Sequence, residues 1–217
     1  MSTLICFALK EEAAPFRKIA ARKPGVFTLI TGIGRQNAER SVREFLLAGS
    51  PKMVFTCGFA GGLNPDLKLC DVGFEIENPK SEIENKLVAA GAKPMKFFCA
   101  DRIASTVVEK RKLRAETGAD AVEMESAAIQ AVCRERGFPC ATVRVISDTA
   151  DENLPLDFNA LAKPDKGVDF GKLFLAIVKS PGKVGALLEL QRKTKSAAEQ
   201  LAAILEKVAT SVSFETE

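Results

Sequence analysis

The chain has 217 residues, with 31 Lys and Arg against 28 Asp and Glu and a formal charge of +3. So even a balance gives no warrant for a nucleic-acid binder, which gathers its basic residues into a patch or stripe. Histidine, tyrosine and tryptophan are absent and all the aromatic content is 14 Phe, which excludes histidine triads, histidine-ligated zinc and imidazole switches and leaves acid–base chemistry to carboxylates, Lys, Cys or hydroxyls.

Residues 4–9 (LICFAL) predict a buried strand, and EEAAPFRKIA a helix whose early acids suit its N-terminus. The next strand is 26–31 (VFTLIT), which runs into Gly32-Ile33-Gly34 and a helix ending near Gly49. Residues 53–58 (MVFTCG) form a third strand, closed by a GFAGGLNP turn. Near-continuous apolar strands imply a sheet covered on both faces. In the middle, DVGFEIE and MKFFCA read as strands, SEIENKLVAAG as a helix with a capping-box pattern at Ser81 and Glu84, and 105–116 as a helix. A short strand at 119–124, a helix at 125–136 ended by Gly137 and Pro139, and a strand at 140–147 (CATVRVIS) follow. After Asp148 the chain turns loop-like through 148–167, and two helices are predicted at 168–179 and 184–208. In the last, Leu187, Leu190, Ala197, Leu201, Ile204 and Val208 share a face, which suits packing on the sheet or on a neighbouring subunit. Arg192, Lys193 and Lys195 beside that stripe leave a transient membrane-surface role open.

The expected architecture is a single domain over 1–217, a three-layer α/β/α fold with a mixed central sheet and C-terminal helices. Cys6, Cys57, Cys70, Cys99, Cys133 and Cys140 never form CxxC and sit in or beside apolar runs, so they read as reduced core residues of a cytoplasmic protein. No apolar stretch reaches 18 residues, and the N-terminus lacks an export signal.

Chemistry in an open α/β sheet gathers at the carboxyl ends of strands. Here those ends carry Lys10-Glu11-Glu12, Gly32 to Asn37, Phe59-Ala60-Gly61-Gly62, Glu123-Met124-Glu125 and Asp148. The two glycine turns read either as plain tight turns or as places where backbone amides approach a ligand. Neither a dinucleotide fingerprint nor a phosphate loop is present, since Asn37 stands where the third glycine of GxGxxG belongs and GxxxxGK[ST] does not occur. Glu12 and Glu125 also read as charges at helix N-termini, and Asp148 as a cap. Several carboxylates facing one cleft, with no cluster of metal-ligand spacing, point instead to sugar or nucleoside chemistry: one acid protonates a leaving group while another activates a nucleophile.

The segments LICFALKEEAAPF, TGIGRQNA, TCGFAGGLNPDLKLCDV, GADAVEMESAAI and VRVISDTAD occur in this order between Leu4 and Asp151. In them the chain resembles the purine nucleoside phosphorylase and methylthioadenosine–S-adenosylhomocysteine nucleosidase superfamily. ADRIAS, EKRKLR, TGADAVEMES and SDTADENLPLDF are most like its hopanoid-associated phosphorylase branch, which is linked to adenine release from adenosylhopane. The resemblance implies that Asp148 protonates N7 of the departing purine and that Glu12 positions or deprotonates the acceptor. It implies that Glu125 and Met124 hold the ribose, that Phe59, Ala60, Gly61 and Ile103 line base and sugar, and that Arg144 lies near the nucleophile. It also implies no metal or organic cofactor, a nucleoside partner that is lipid-linked if the branch holds, and a homo-oligomer of two or more subunits.

The chain departs from the pattern in three places. Phe59 replaces a serine common in the nucleosidases, the Asp101-Arg102-Ile103 region replaces an adenine-stacking phenylalanine, and 71–96 is shorter than the usual insertion, which suits a larger or more apolar 5′ group. The acceptor stays open between water and inorganic phosphate: Arg35, Arg102, Arg144 and the Gly32 turn are its candidate site, but MVFTCG lacks the arginine of typical hexameric phosphorylases. A methylthioadenosine/S-adenosylhomocysteine nucleosidase and a non-catalytic nucleoside-binding module are the alternatives. Desolvation is the available means of holding Asp148 in its acid form.

Overall fold

The computed structural model describes residues 2–77, 82–156, 158–161, 182 and 184–211. Its first strand, β1 (Thr3–Phe7), shows why an unbroken apolar run becomes a central strand. Ile5 and Phe7 enter one core, Leu4 and Cys6 the other, and all four are at most 1% exposed. With both faces covered, no position is left for a polar alternation.

The chain continues through α1 (Lys10–Ala20), β2 (Val26–Ile30), α2 (Arg35–Ala48), β3 (Met53–Gly62), β4 (Val72–Ile76), α3 (Glu82–Ala90) and β5 (Lys93–Pro94). Then come β6 (Phe97–Cys99), α4 (Val107–Thr117), β7 (Ala121–Glu123), α5 (Ser126–Arg136), β8 (Cys140–Asp148), α6 (Phe158–Leu161) and the 28-residue α7 (Val184–Ser211). The strands form one sheet in the order β2-β1-β3-β8-β4-β5, with β7 added to the far end of β3 and β6 beside β7. β2, β1, β3 and β8 run parallel, whereas β4 is antiparallel to β8 and β7 to β3, so the sheet is mixed as expected.

On one face Phe16 of α1, Leu87 of α3 and Leu201, Leu205 and Val208 of α7 pack on Phe55 and Val143. On the other, Val42 and Leu46 of α2 and Ile129 and Val132 of α5 pack on Val54. Each such buried Leu, Ile, Val or Phe contributes about 1.5–3 kcal/mol relative to leaving it in water. In α7 the apolar stripe divides: Ala197, Leu201, Ile204 and Val208 are buried, while Leu187 and Leu190 are half-buried and Leu188 is exposed.

Two expectations change. GFAGG is not a closing turn but the continuation of β3, because residues 58–61 keep pairing with β8, with a register shift between Ala60 and Gly61. The loop-like stretch after Asp148 contains α6. The predicted helix at 168–179 and Ser81 of the predicted capping box lie outside the described residues. The helix ends follow their chemistry: Thr106 and Glu109 form a reciprocal cap on α4, and Gly118 and Gly137 close α4 and α5 in the left-handed region. All six cysteines are free, and Cys6, Cys57, Cys99 and Cys133 are buried. Among the described residues no helix is long and apolar enough to cross a membrane.

Candidate active site

The carboxyl ends of β1, β3 and β8 open on one cleft. It is lined by Glu12, Phe59, Ala60, Gly61, Arg102, Ile103, Met124, Glu125 and Asp148, together with Ile33, Glu123, Leu154, Phe158 and Leu190. Glu12, Glu125 and Asp148, distant in sequence, therefore share one space.

Glu12 is the third residue of α1, so its side chain reaches back over the helix start, where its Oε2 accepts the Leu9 N–H at 2.9 Å. Its Oε1 accepts the Phe59 N–H of β3 at 3.0 Å. Burial, reinforced by the negative charge of Glu125, pushes this carboxyl up to about 7 against the pull of the Phe59 N–H and Arg144. A carboxyl that titrates near neutrality is poised to accept a proton.

Glu125 immediately precedes α5. Its Oε1 accepts the Gly34 N–H at 2.9 Å, and its Oε2 lies 3.4 Å from Arg144 Nη2. Burial raises it, and Arg144 opposes the rise. Arg144 projects from the middle of β8 and is only 1% exposed. Its Nη2 lies 2.5 Å from Glu123 Oε2 and donates to Thr56 Oγ1 at 3.1 Å, while Nη1 donates to the Cys57 carbonyl at 3.3 Å. Burial would raise Glu123, but Arg144, the Ser126 hydroxyl and the N–H groups of Glu125 and Ser126 outweigh it and hold this carboxyl below the usual range. Gly58 makes the assembly possible. A Cβ there would stand 2.7 Å from Arg144 Nη1 and 2.9 Å from Glu12 Oε1, at a φ of +150° that side chains rarely adopt.

Asp148 ends β8 beside Gly61, further along β3 than the Gly58 that neighbours Glu12 and Arg144. Its Oδ1 accepts the Ser147 hydroxyl at 2.7 Å. Its Oδ2 lies 2.5 Å from Nζ of Lys110, which is fully buried and also donates to the carbonyls of Thr149 at 2.6 Å and Glu152 at 3.0 Å. Asp148 is thus 7% exposed with a cation in contact.

The proposed acceptor residues are scattered. Arg144 lies behind Glu123 and Glu125. Arg102 lines the cleft, but its guanidinium engages Glu109. Arg35 and Gly32 do not line it: Arg35 pairs with Asp101 at 3.2 Å and with the Cys99 carbonyl, and the Gly32 N–H donates to the Ala8 carbonyl. Two residues of the site were not foreseen. Glu123 was visible in the Glu-Met-Glu triplet, but the triplet does not say which carboxylate faces the cleft and which holds Arg144. Lys110 carried no signal, being one basic residue among several in EKRKLR. Among the described residues no group of three or more metal-ligating side chains is arranged to hold a metal ion.

Residues 82–179 match the model of the phosphorylase superfamily. The aminodeoxyfutalosine nucleosidase of Helicobacter pylori (strain ATCC 700392 / 26695) is 25% identical over 179 residues, covering 67% of this chain and 76% of that protein. The 5′-methylthioadenosine/S-adenosylhomocysteine nucleosidase of Glaesserella parasuis serovar 5 is 28% identical over 165 residues, 60% of this chain and 71% of the relative. Among solved structures, futalosine hydrolase of Helicobacter pylori strain 26695 superposes with a TM-score of 0.71 at 19% identity, over 97% of this chain and 98% of that one. The nucleosidase of Neisseria meningitidis, in complex with methylthio-immucillin-A, gives 0.71 at 18% identity, over 97% and 99%. Likeness at that identity speaks for the fold, a mixed sheet between two helical layers.

Proposed function

We propose that this chain, a member of the phosphorylase superfamily, is an enzyme that cleaves the N-glycosidic bond of a 5′-substituted adenosine and releases adenine. The observation that carries the reading is the convergence of Glu12, Glu125 and Asp148 on one cleft. The bond breaks through a sugar with oxocarbenium character while the departing base gathers negative charge. Asp148 gives its proton to N7, a contribution of about 10²–10⁴ in rate. Glu125 accepts hydrogen bonds from the ribose hydroxyls, and its charge suits the cationic ring. Glu12, raised to about 7, takes the proton of the acceptor. As C1′–N9 breaks, a new C1′–O bond forms, the acceptor proton goes to Glu12 and the Asp148 proton leaves with adenine.

Water is the acceptor this site favours. Arg35 is paired with Asp101, Arg102 with Glu109, and Arg144 with Glu123 and Glu125, so no uncommitted guanidinium among them meets a phosphate dianion. Such a dianion would also stand beside Glu12 and Glu125. Product analysis with and without inorganic phosphate tests this: free 5′-substituted ribose at a phosphate-independent rate supports hydrolysis, and ribose 1-phosphate overturns it.

The 5′ group of the favoured substrate is bulky and apolar, as the likeness to the hopanoid-associated branch implies. The cleft supports this with Ile33, Ile103, Leu154, Phe158 and Leu190 among its lining residues. Adenosylhopane should then be cleaved with a higher kcat/KM than methylthioadenosine. The reverse order would favour the second reading, a methylthioadenosine/S-adenosylhomocysteine nucleosidase, which the names of the curated relatives suggest. Tight nucleoside binding without any turnover would leave only a binding module.

A further inference from the structure

Helix α4 carries solvated charge around a single buried residue. Arg111, Lys112 and Glu116 are exposed and Glu109 and Arg114 are half-buried, but Lys110 has no exposed surface. A lysine is almost never fully buried unless it is paired, because an uncompensated ammonium in the interior is costly. Its contacts all fall on one short segment: Nζ donates to the carbonyls of Thr149 and Glu152, and it forms an ion pair with Oδ2 of Asp148 at 2.5 Å. That oxygen has no hydrogen-bond partner among the described residues, so the ammonium meets it as a charge in contact. Lys110 does not itself line the nucleoside cleft, so whatever it does there it does through Asp148.

We propose that Lys110 is a positioning residue for the general acid. The inference rests on the reading of Asp148 given above. One part of the role is geometric: the ammonium ties the end of β8 and the turn after it to α4, while Ser147 holds the other carboxylate oxygen, so the acid has one orientation toward the base. A displacement of about 1 Å at a reacting group can cost on the order of 10²-fold in rate. The other part is electrostatic. When the acid gives up its proton a carboxylate is left in a nearly dry place, and a cation already in contact stabilises that charge without reorganisation.

The test compares the wild-type enzyme with Lys110→Met and Lys110→Gln on two substrates. Methylthioadenosine needs its base protonated, whereas p-nitrophenyl β-D-ribofuranoside releases a phenolate that does not. The expected result is a kcat for adenine release lowered about 10²-fold, with the Kd of the nucleoside within about threefold and the adenine-to-phenolate rate ratio lowered by a similar factor. Asp148→Asn should show the same selective pattern, and Lys110→Arg, which keeps the charge, should recover part of the rate. Near-wild-type adenine release in folded Lys110→Met overturns the proposal, as does an equal loss on both substrates, which would mark a merely structural lysine. If the neutral variants do not fold, Lys110→Arg carries the test: a kcat loss without a Kd change supports the role, and unaltered kcat or equal loss on both substrates overturns it. Full adenine release in Asp148→Asn would instead remove the reading on which the inference rests.

Discussion

The two ends of the cleft handle buried charge differently. At the acceptor end three carboxylates, Glu12, Glu123 and Glu125, share one guanidinium, Arg144, in which Glu123 holds the closest contact. At the base end Asp148 has an ammonium in direct contact, and among the described residues that lysine pairs with no other acid. A pooled cation leaves the charge of the group sensitive to its least committed member, and burial has lifted that member, Glu12, to about 7. A dedicated cation fixes geometry. The acceptor end is therefore built to gain and lose a proton near neutrality, and the base end to hold one carboxyl in place.

Substitutions should separate the two ends, the largest effects first. Glu12→Gln and Asp148→Asn should each slow adenine release by about 10²–10⁴. Only Glu12→Gln should also slow p-nitrophenyl riboside cleavage, because every substrate needs the acceptor activated. If Asp148→Asn slows both equally, the division between the ends is lost. Arg144→Met should be the most damaging change to stability, about 3–5 kcal/mol, since it leaves Glu123 and Glu125 buried without their cation. Urea unfolding checks this, and a loss below 1 kcal/mol would mean that the acids are satisfied without it.

The proton on Glu12 gives a third test. A carboxyl raised in the folded state from 4.5 to about 7 binds its proton more tightly folded than unfolded, so its favourable contribution is complete below about pH 4.5 and is lost as the pH rises through 7. Glu12→Gln should therefore be more stable than wild type at pH 8, by up to about 3 kcal/mol, with the difference fading toward pH 5. The same proton predicts a rate that climbs with pH through about 7, as Glu12 becomes the base. A flat profile in both measurements would detach Glu12 from either role. The smallest effect belongs to the mouth: Leu190→Ala should raise KM for a substrate with an apolar 5′ chain about fivefold or more, leaving kcat and the KM of adenosine unchanged, because about 1–3 kcal/mol attends a lost apolar contact.

The backbone of this arrangement was legible where one residue type has one structural use. LICFAL, with two buried faces, and Gly137, closing a helix, left little choice. GFAGG reads as a turn in the sequence because glycines that permit a turn also permit a strand to pass against Arg144 and Glu12, and only the partner strand decides between them. The acids at the strand ends were visible because a charge after an apolar strand is costly unless it opens into a pocket. Lys110 was invisible because its burial comes from helical phase in EKRKLR, where its neighbours are as basic and remain solvated. Arg35 misled for the complementary reason: its place beside the glycine turn suggested a ligand, but its side chain binds the 99–101 segment from outside.

The free cysteines have a practical consequence. Cys6 and Cys57 sit in the middle of the sheet, where burial holds both thiols well above the usual range, and Cys99 is pushed up to about 11. Thiolates are the reactive form, so these sulfurs should be silent toward alkylating reagents while the fold is closed. Each becomes reactive only when its own layer comes apart. Timed alkylation followed by mass measurement would thus turn the interior into a clock, reporting without any introduced cysteine which part of the molecule opens first and how rarely.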